Sequence, residues 1–465
     1  MINFILNQKA IKTDCNPGMS LLDFIRYEAH LPGTKIGCRE GDCGACTVLI
    51  GELKNGKVYY YSVTSCLYPL INAHGKHVVT IEGINLCNGL NPVQQAMADH
   101  AATQCGFCTP GFVMSFTAFC MSHADSSTER AIESVAGNIC RCTGYKSIER
   151  AAADIAQLMQ DKNIANPVEW LVGKGYLPEY LSEIPQKLQN IDAFKIDNVN
   201  HSHLIAGGTD IMVQRPDEIY EHKVNTTLLG QIPKGITIGN CTCTIGGATR
   251  VSELLSSTEL TLHFPQLKDY LMLVSSEPIR NMATIAGNIV NASPIGDLSV
   301  MLLALNAQVT SSSGGKIRQQ PLNELFVGYK QINLKPGEVI QYITFELPKS
   351  ATLFNFEKVS KRKYLDIASV NSAMWIELDN GKVTHCRLTA GGVAPIPLYL
   401  NKTSNFLIGR ELNTETVARA IEILQDEIAP ISDIRGSADY KRLLIRQLFI
   451  AHLQKFLGKR FEQIL

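Results

Sequence analysis

The sequence predicts a multidomain α+β protein, and three observations carry that prediction. A chain of 465 residues is too long for one hydrophobic core. Strand-like alternation, as in MINFILN and VYYYSV, gives way to a run of helix-like segments and then to a mixture of both. Two sets of four cysteines stand in short Gly-containing loops of the N-terminal third. Composition narrows the function classes. Lys plus Arg equals Asp plus Glu at 43 each, a balance that argues against nucleic-acid binding and against an acidic or basic tail. No apolar run reaches the roughly 20 residues of a membrane span, and MINFILNQKAIKTD has no secretory leader pattern. Fourteen cysteines without an export signal imply a reducing, cytoplasmic setting and metal ligation.

The first cysteine set is Cys38, Cys43, Cys46 and Cys66. Its C-x4-C-x2-C spacing with a distant fourth Cys is the plant-type [2Fe–2S] ferredoxin pattern. The second set is Cys105 and Cys108, in QCGFCTPGF, with Cys140 and Cys142, in GNICRCTGY. Each pair precedes a helical segment, whose N-terminal N–H groups and dipole suit an anionic cluster. Zinc is the alternative, because four thiolates in two close pairs also make a tetrahedral site. Cys15, Cys87, Cys120, Cys241, Cys243 and Cys386 are expected to be buried or partly buried free thiols, the pair Cys241 and Cys243 alternating within a strand.

In chain order, MINFILN and AIKTD read as a hairpin, and Ser20 caps LLDFIRYEAH. The loop GCREGDCGAC interleaves Gly37, Gly41 and Gly44 with its cysteines, as a loop wrapped on an inorganic cluster needs for close approach and φ > 0. TVLI, VYYYSVTSC and HVVTIEG complete a sheet. Asn91 and Pro92 open a helix, Gly111 to His123 is an apolar helical run, Ser126 with Glu129 has capping-box spacing, and Ser147 caps SIERAAADIAQLMQ. Beyond Ala165, Pro167, Pro178 and Pro185 break the periodicity, which reads as an extended connection with a short helix near Leu181 to Leu188.

CREGDCGAC, QCGFCTPG and GNICRCTGY, in this order, resemble the molybdenum hydroxylases, the xanthine dehydrogenase and aldehyde oxidase family. The resemblance implies a β-grasp [2Fe–2S] ferredoxin domain over 1–83, a four-helix [2Fe–2S] bundle over 84–162, and a linker over 163–196. It implies a two-part α/β FAD-binding domain (PCMH-type) over 197–349 and a C-terminal α+β CO dehydrogenase flavoprotein-like domain over 350–465. It also places Gln104, ahead of the second cluster's first Cys, against a molybdopterin; alone, this residue reads as a surface Gln beside a turn.

In the flavin region, HLIAGGTDIMV and TIAGN each present a Gly-containing turn, and loop chemistry alone favours two strand-end turns. By resemblance they are the diphosphate and adenosine clamp of FAD: Leu204, Ile205, Ala206, Gly207, Gly208, Thr209, Asp210 and Ile211 in the first, Thr284, Ile285, Ala286, Gly287 and Asn288 in the second. Backbone N–H groups of both would surround the pyrophosphate. Asp297, presented by Ser293 and Pro294, matches the family's Asp near the flavin. Val274 stands where mammalian members have an aromatic residue. Lys358, with Lys361 as the alternative, is the basic residue that would stabilise the reduced ring. The C-terminal stretch reads as a hairpin turning at Asp379–Asn380–Gly381, with Gly391 and Gly392 permitting a close approach to the flavin domain or making a plain turn, then helices over 414–426, capped by Asn413, and over 438–457.

The family oxidises substrate at a molybdopterin held by a large domain that these 465 residues do not contain. The resemblance therefore implies the iron–sulfur/FAD small subunit of a xanthine dehydrogenase. Electrons from a molybdopterin-binding partner, where hypoxanthine or xanthine is hydroxylated, would pass through two [2Fe–2S] clusters to FAD and then NAD+, within a heterotetramer. Another hydroxylase acting on aldehydes or N-heterocycles is the alternative, and a zinc-bearing scaffold the non-enzymatic one. No recognisable nicotinamide motif stands in the sequence.

Overall fold

The computed structural model describes residues 1–191, 204–221, 226–349 and 352–458. They fall into two compact units, Met1–Leu229 with Ser276–Ala283, and Gly230–Ser275 with Thr284–Leu465. The domain limits expected at 196/197 and 349/350 adjoin or lie in the segments 192–203 and 350–351, outside the described residues, as does His203. Among the described residues no helix is long and apolar enough to cross a membrane.

In the first unit, Lys9–Thr13, Ile2–Leu6, His77–Val79, Thr47–Lys54 and Lys57–Thr64 form one sheet in that spatial order. All neighbours are antiparallel except Ile2–Leu6 with His77–Val79, where Ile5 lies opposite His77. This is the β-grasp arrangement, and the segment after Ser20 packs Leu21, Leu22 and Ile25 into its core. Ser20 caps as expected, accepting from Asp23 N at 3.1 Å. The helical half contains Pro92–Asp99, Thr109–Met121, Thr128–Ser134 and Lys146–Leu158. Asn91 and Gln94 form a reciprocal capping box. Two expected caps are corrected. Ser127, one residue later than Ser126, accepts from Arg130 N at 3.2 Å. Ser147 lies inside its helix with its hydroxyl buried and unbonded, and Tyr145, at φ 68°, stands in the cap position.

The expected linker is corrected as well. Pro167–Gly173 and Ile184–Gln189 are α-helices, with a 3₁₀ turn at Glu179–Glu183 between them. Leu171, Leu177, Leu181, Ile184 and Leu188 are buried in the core that also holds Phe112, Phe116 and Phe119. The prolines read as breakers sit where helices begin: Pro167 at the first helical position, Pro178 before the 3₁₀ turn, Pro185 in the first turn.

In the second unit, Lys316–Pro321, Gln308–Ser313, Val339–Glu346, Thr242–Gly246 and Ile236–Gly239 make one antiparallel sheet. Thr352–Val359, Val370–Asp379, Lys382–Gly391 and Leu398–Tyr399 make another. The hairpin turn falls at Asn380 and Gly381, at φ 48° and 84°. Asp297–Ala304 is buried on all sides, and Thr414–Glu427 and Ala438–Leu457 close the second sheet's core. Asn413 caps Thr414–Glu427. Cys243 is buried, whereas Cys241 is exposed in the turn before its strand, at φ 64°, and Cys87 is also exposed. The expectation of six buried or partly buried thiols therefore fails at these two positions.

Each unit holds one fully buried neutral imidazole. His77 accepts from Tyr60 OH at 2.7 Å and donates to Asn7 O at 2.8 Å. His452 accepts from Asn355 Nδ2 at 2.9 Å and donates to Ser372 Oγ at 3.0 Å. Burial pushes both down to about 3. Between pH 6.5 and 3 the unfolded chain binds protons that the folded chain refuses. This contribution to stability is thus complete above the ordinary histidine range and is lost as pH falls. Each histidine adds a slope of about 1.4 kcal/mol per pH unit. Guanidinium denaturation midpoints should fall steadily from about pH 7 to 5; a flat profile would contradict neutral burial.

Candidate cofactor sites

The first cysteine loop turns through Arg39, Gly41 and Gly44, at φ 57°, 79° and 67°. Gly37 is needed for space instead, since a Cβ there would lie 2.5 Å from Cys43 Sγ. The N–H groups of Glu40, Asp42 and Cys43 converge on Cys38 Sγ at 3.3, 3.3 and 3.4 Å. The thiols are hydrogen-bonded in pairs. The Cys43 thiol brings Cys38 down to about 5, and Cys43 is raised in return. Cys46 is lowered by Cys66 and Cys66 raised by Cys46, both buried.

The second set pairs in the same way. Cys142 Sγ lies 3.6 Å from Cys105 Sγ, and both are exposed. Cys108 is raised to about 12, first by burial and then by its hydrogen bond with Cys140. Cys140 is buried, yet its thiol is lowered by the Thr143 hydroxyl at 3.1 Å and the Thr143 N–H at 3.5 Å. Cys108 stands at the N-terminus of Thr109–Met121, as expected. Gln104 is exposed beside Cys105.

Two thiols at each of two neighbouring positions fit a two-iron cluster, in which each iron takes two thiolates. A single tetrahedral zinc needs all four at one point. Among the described residues no three Cys, His, Asp or Glu side chains gather on such a point.

The two loops are tied together. Cys43 O accepts from Ile139 N at 3.0 Å, one residue before Cys140. Asn138 Nδ2 donates to Gly44 O at 3.1 Å, and Ser115 Oγ donates to Asn138 Oδ1 at 2.8 Å. Gly111 must be glycine, because a Cβ would lie 2.2 Å from Gly44 O. Sequence reasoning missed Asn138 although it stands inside the GNICRC motif. Its partner is 94 positions away, and only the cysteines of that motif advertise their chemistry. Asn138→Ala strands the buried Ser115 hydroxyl, while Gly44 O keeps its Thr47 donors, so stability should fall by about 1–3 kcal/mol, read as a denaturation midpoint shift.

The flavin candidates divide between the units. In the first, Leu204–Ile205 runs beside Thr226–Thr227 as a short parallel pair. The backbone N–H groups of Ala206, Gly207, Gly208 and Thr209 donate to nothing among the described residues, although Gly207 and Gly208 are buried. Gly208 has φ 84°. Buried N–H groups without partners want an acceptor, and a diphosphate is one. In the second unit, Thr284–Asn288 is not a loop. It is the capped start of the helix Ile285–Val290, with Thr284 Oγ1 accepting from Gly287 N at 3.1 Å. The N–H groups of Ile285, Ala286 and Asn288 are all spent on backbone carbonyls. The expectation that both segments offer N–H groups to a pyrophosphate is thus corrected: only residues 206–209 have them to give. The second segment offers Asn288 Oδ1, which is buried and unpartnered, and suits a ligand hydroxyl or amino group.

Val274 is buried at the end of Leu267–Met272. Asp297 starts the helix Asp297–Ala304 and accepts from Lys358 Nζ at 2.7 Å and from Asn371 Nδ2 at 2.5 Å. Lys358 Nζ also donates to Leu273 O at 2.7 Å, and the pair's side chains are 2% and 12% exposed for Lys358 and Asp297. Lys358 is therefore half of a buried ion pair, while Lys361 is exposed. Asn371 was not legible in the sequence. Ser293 and Pro294 do hold the turn before Asp297, and Pro294 O accepts from Gly392 N at 2.9 Å. Gly391 and Gly392 make the expected close approach to the flavin region, a Cβ on Gly391 lying 3.1 Å from Pro294 O and from Ile295 Cα.

Family comparisons cover nearly the whole chain. Residues 4–69 match a 2Fe-2S iron-sulfur cluster binding domain and residues 80–153 a [2Fe-2S] binding domain. Residues 176–350 match the FAD binding domain in molybdopterin dehydrogenase, and 356–456 the CO dehydrogenase flavoprotein C-terminal domain. Xanthine dehydrogenase 1 of Arabidopsis thaliana is 28% identical, over 93% of this chain and 38% of its own length. Aldehyde oxidase 2 of Rattus norvegicus is 28% identical, over 96% of this chain and 38% of its own. A solved carbon monoxide dehydrogenase chain from Hydrogenophaga pseudoflava superposes with a TM-score of 0.51 at 25% identity, over 54% of this chain and 87% of that one. The chain spans about two fifths of the length of the curated relatives it matches.

Two [2Fe–2S] domains followed by an FAD-binding domain define an iron–sulfur flavoprotein. Over nearly its whole length the chain is similar to the iron–sulfur and FAD part of the molybdenum hydroxylases.

Proposed function

We propose that the chain is the cytoplasmic electron-transfer module of a xanthine dehydrogenase. It would accept electrons from a molybdopterin-binding partner that oxidises hypoxanthine or xanthine, and deliver them to NAD+, in an assembly of two small and two large chains. When bound, the clusters carry single electrons and the flavin a pair, which joins one-electron to two-electron chemistry. The observation that carries this reading is the gradient of exposure. Cys105 and Cys142 lie at the surface beside Gln104, Cys46 and Cys66 are buried, and the Ile139–Cys43 hydrogen bond joins the two sets.

In this reading Cys105, Cys108, Cys140 and Cys142 hold the entry cluster, with Gln104 toward the molybdopterin. Cys38, Cys43, Cys46 and Cys66 hold the inner one. In the first unit residues 204–211 are the candidate diphosphate-binding segment, and in the second Asn288, Asp297 and Lys358 are the candidate flavin-site residues. Similarity to xanthine dehydrogenases supports the substrate assignment. The equal identity of an aldehyde oxidase supports a second reading, oxidation of aldehydes by the same module.

The chain alone, loaded with flavin and iron, should be bleached by NADH and inert to purines, and should gain xanthine-dependent NADH formation when the partner is added. Bleaching by dithionite but not by NADH would remove NAD+ as acceptor. Turnover of aldehydes but not xanthine by the complex would favour the second reading.

A further inference from the structure

Apart from the cofactor candidates, the second unit contains a cavity of about 280 Å³. Asn306, Asn323, His385, Arg387, Tyr399 and Asn405 are among the residues that line it. Arg387 is a half-buried cation on the lining of this cavity. Lys358 and Lys441 are paired with Asp297 and Asp433, and Arg130 with Glu277. Arg387 instead donates from Nε to Ala304 O at 2.7 Å and lies 4.6 Å above the Trp375 ring, with no ion pair and no further hydrogen bond among the described residues. The carboxylate on the adjoining strand, Glu377, is engaged by His385 at 3.1 Å and Thr352 Oγ1 at 3.0 Å. The terminal nitrogens Nη1 and Nη2 thus keep their donors free among the described residues, beside a space lined by the three side-chain amides of Asn306, Asn323 and Asn405.

A guanidinium partly withdrawn from water, which Glu346 and Glu377 influence only from a distance without an ion pair, gains from an anion placed on its free donors. Its planar fork matches carboxylate and phosphate oxygens in a way that an ammonium does not. The cavity lies just under the ~300–1,000 Å³ of drug-sized pockets, which suits a small ligand and is too tight for a dinucleotide. We propose that this cavity binds a small oxyanion, a carboxylate or phosphate group, with Arg387 as its fork and the amides of Asn306 and Asn323 around it.

The test is calorimetric titration of the flavin- and iron-loaded chain, at low ionic strength, with inorganic phosphate and separately with succinate. At least one should bind saturably with Kd below about 1 mM, and the arm that responds tells phosphate from carboxylate. Arg387→Lys, which keeps the charge but not the fork, should weaken binding about tenfold. Asn323 lines the cavity and is exposed, so Asn323→Asp tests the same site without disturbing the core, and its repulsion should weaken binding severalfold with flavin and iron content unchanged. Absence of saturable binding to both probes, or binding that neither variant moves, overturns the proposal.

Discussion

Cys66→Ala should leave the chain with half its iron, one cluster signal instead of two in electron paramagnetic resonance, and its flavin. Cys66 is buried and hydrogen-bonded to Cys46, so the change removes one of the two thiolates at one iron position. Alanine supplies no ligand, and a cluster with an open iron in a protein interior has no replacement. The second set should keep its cluster, because its pairs lie within 105–142 and its tie to the first loop is made by backbone and Asn138 rather than by Cys66. Electron delivery from the partner to the flavin should fall by orders of magnitude while FAD content is unchanged. Loss of both signals together would show that the two loops assemble as one unit. Full retention of both would remove Cys66 from the ligand set.

Lys358→Met is expected to have the largest effect on stability. The variant leaves the Asp297 carboxylate nearly buried with only Asn371 as donor, and frees Leu273 O. Breaking one side of a buried ion pair costs about 3–5 kcal/mol, mainly through the stranded partner. The second variant decides the cause. Asp297→Asn combined with Lys358→Met removes both charges, and should recover most of the loss in the denaturation midpoint. If the double variant is as unstable as the single one, the lost lysine packing rather than the stranded charge is responsible. Lys358 and Asp297 cancel each other's charge, so the pair presents a dipole to its surroundings rather than the free cation read from the sequence.

Features whose chemistry is local were legible in the sequence. The cysteine spacings, the glycines between them, the caps at Ser20, Asn91 and Asn413, and the Asn380–Gly381 turn each depend on neighbours within a few residues. Pro167, Pro178 and Pro185 were misread because a proline that ends one element and one that starts another look alike until the burial of Leu171 and Leu181 is known. The start of Ile285–Val290 was misread for a related reason, since a Thr-capped helix and a glycine turn share residues, and only the destinations of the N–H groups separate them. Asn138 and Asn371 were invisible because their partners are 94 and 74 positions away.

The most direct test of the whole account is metal and spectroscopic analysis of the anaerobically prepared chain after reduction. Paired cysteines holding two binuclear clusters predict about four iron atoms and matching sulfide per chain, with two distinguishable [2Fe–2S] resonances. Zinc in place of iron, or a colourless chain that binds flavin alone, would contradict it.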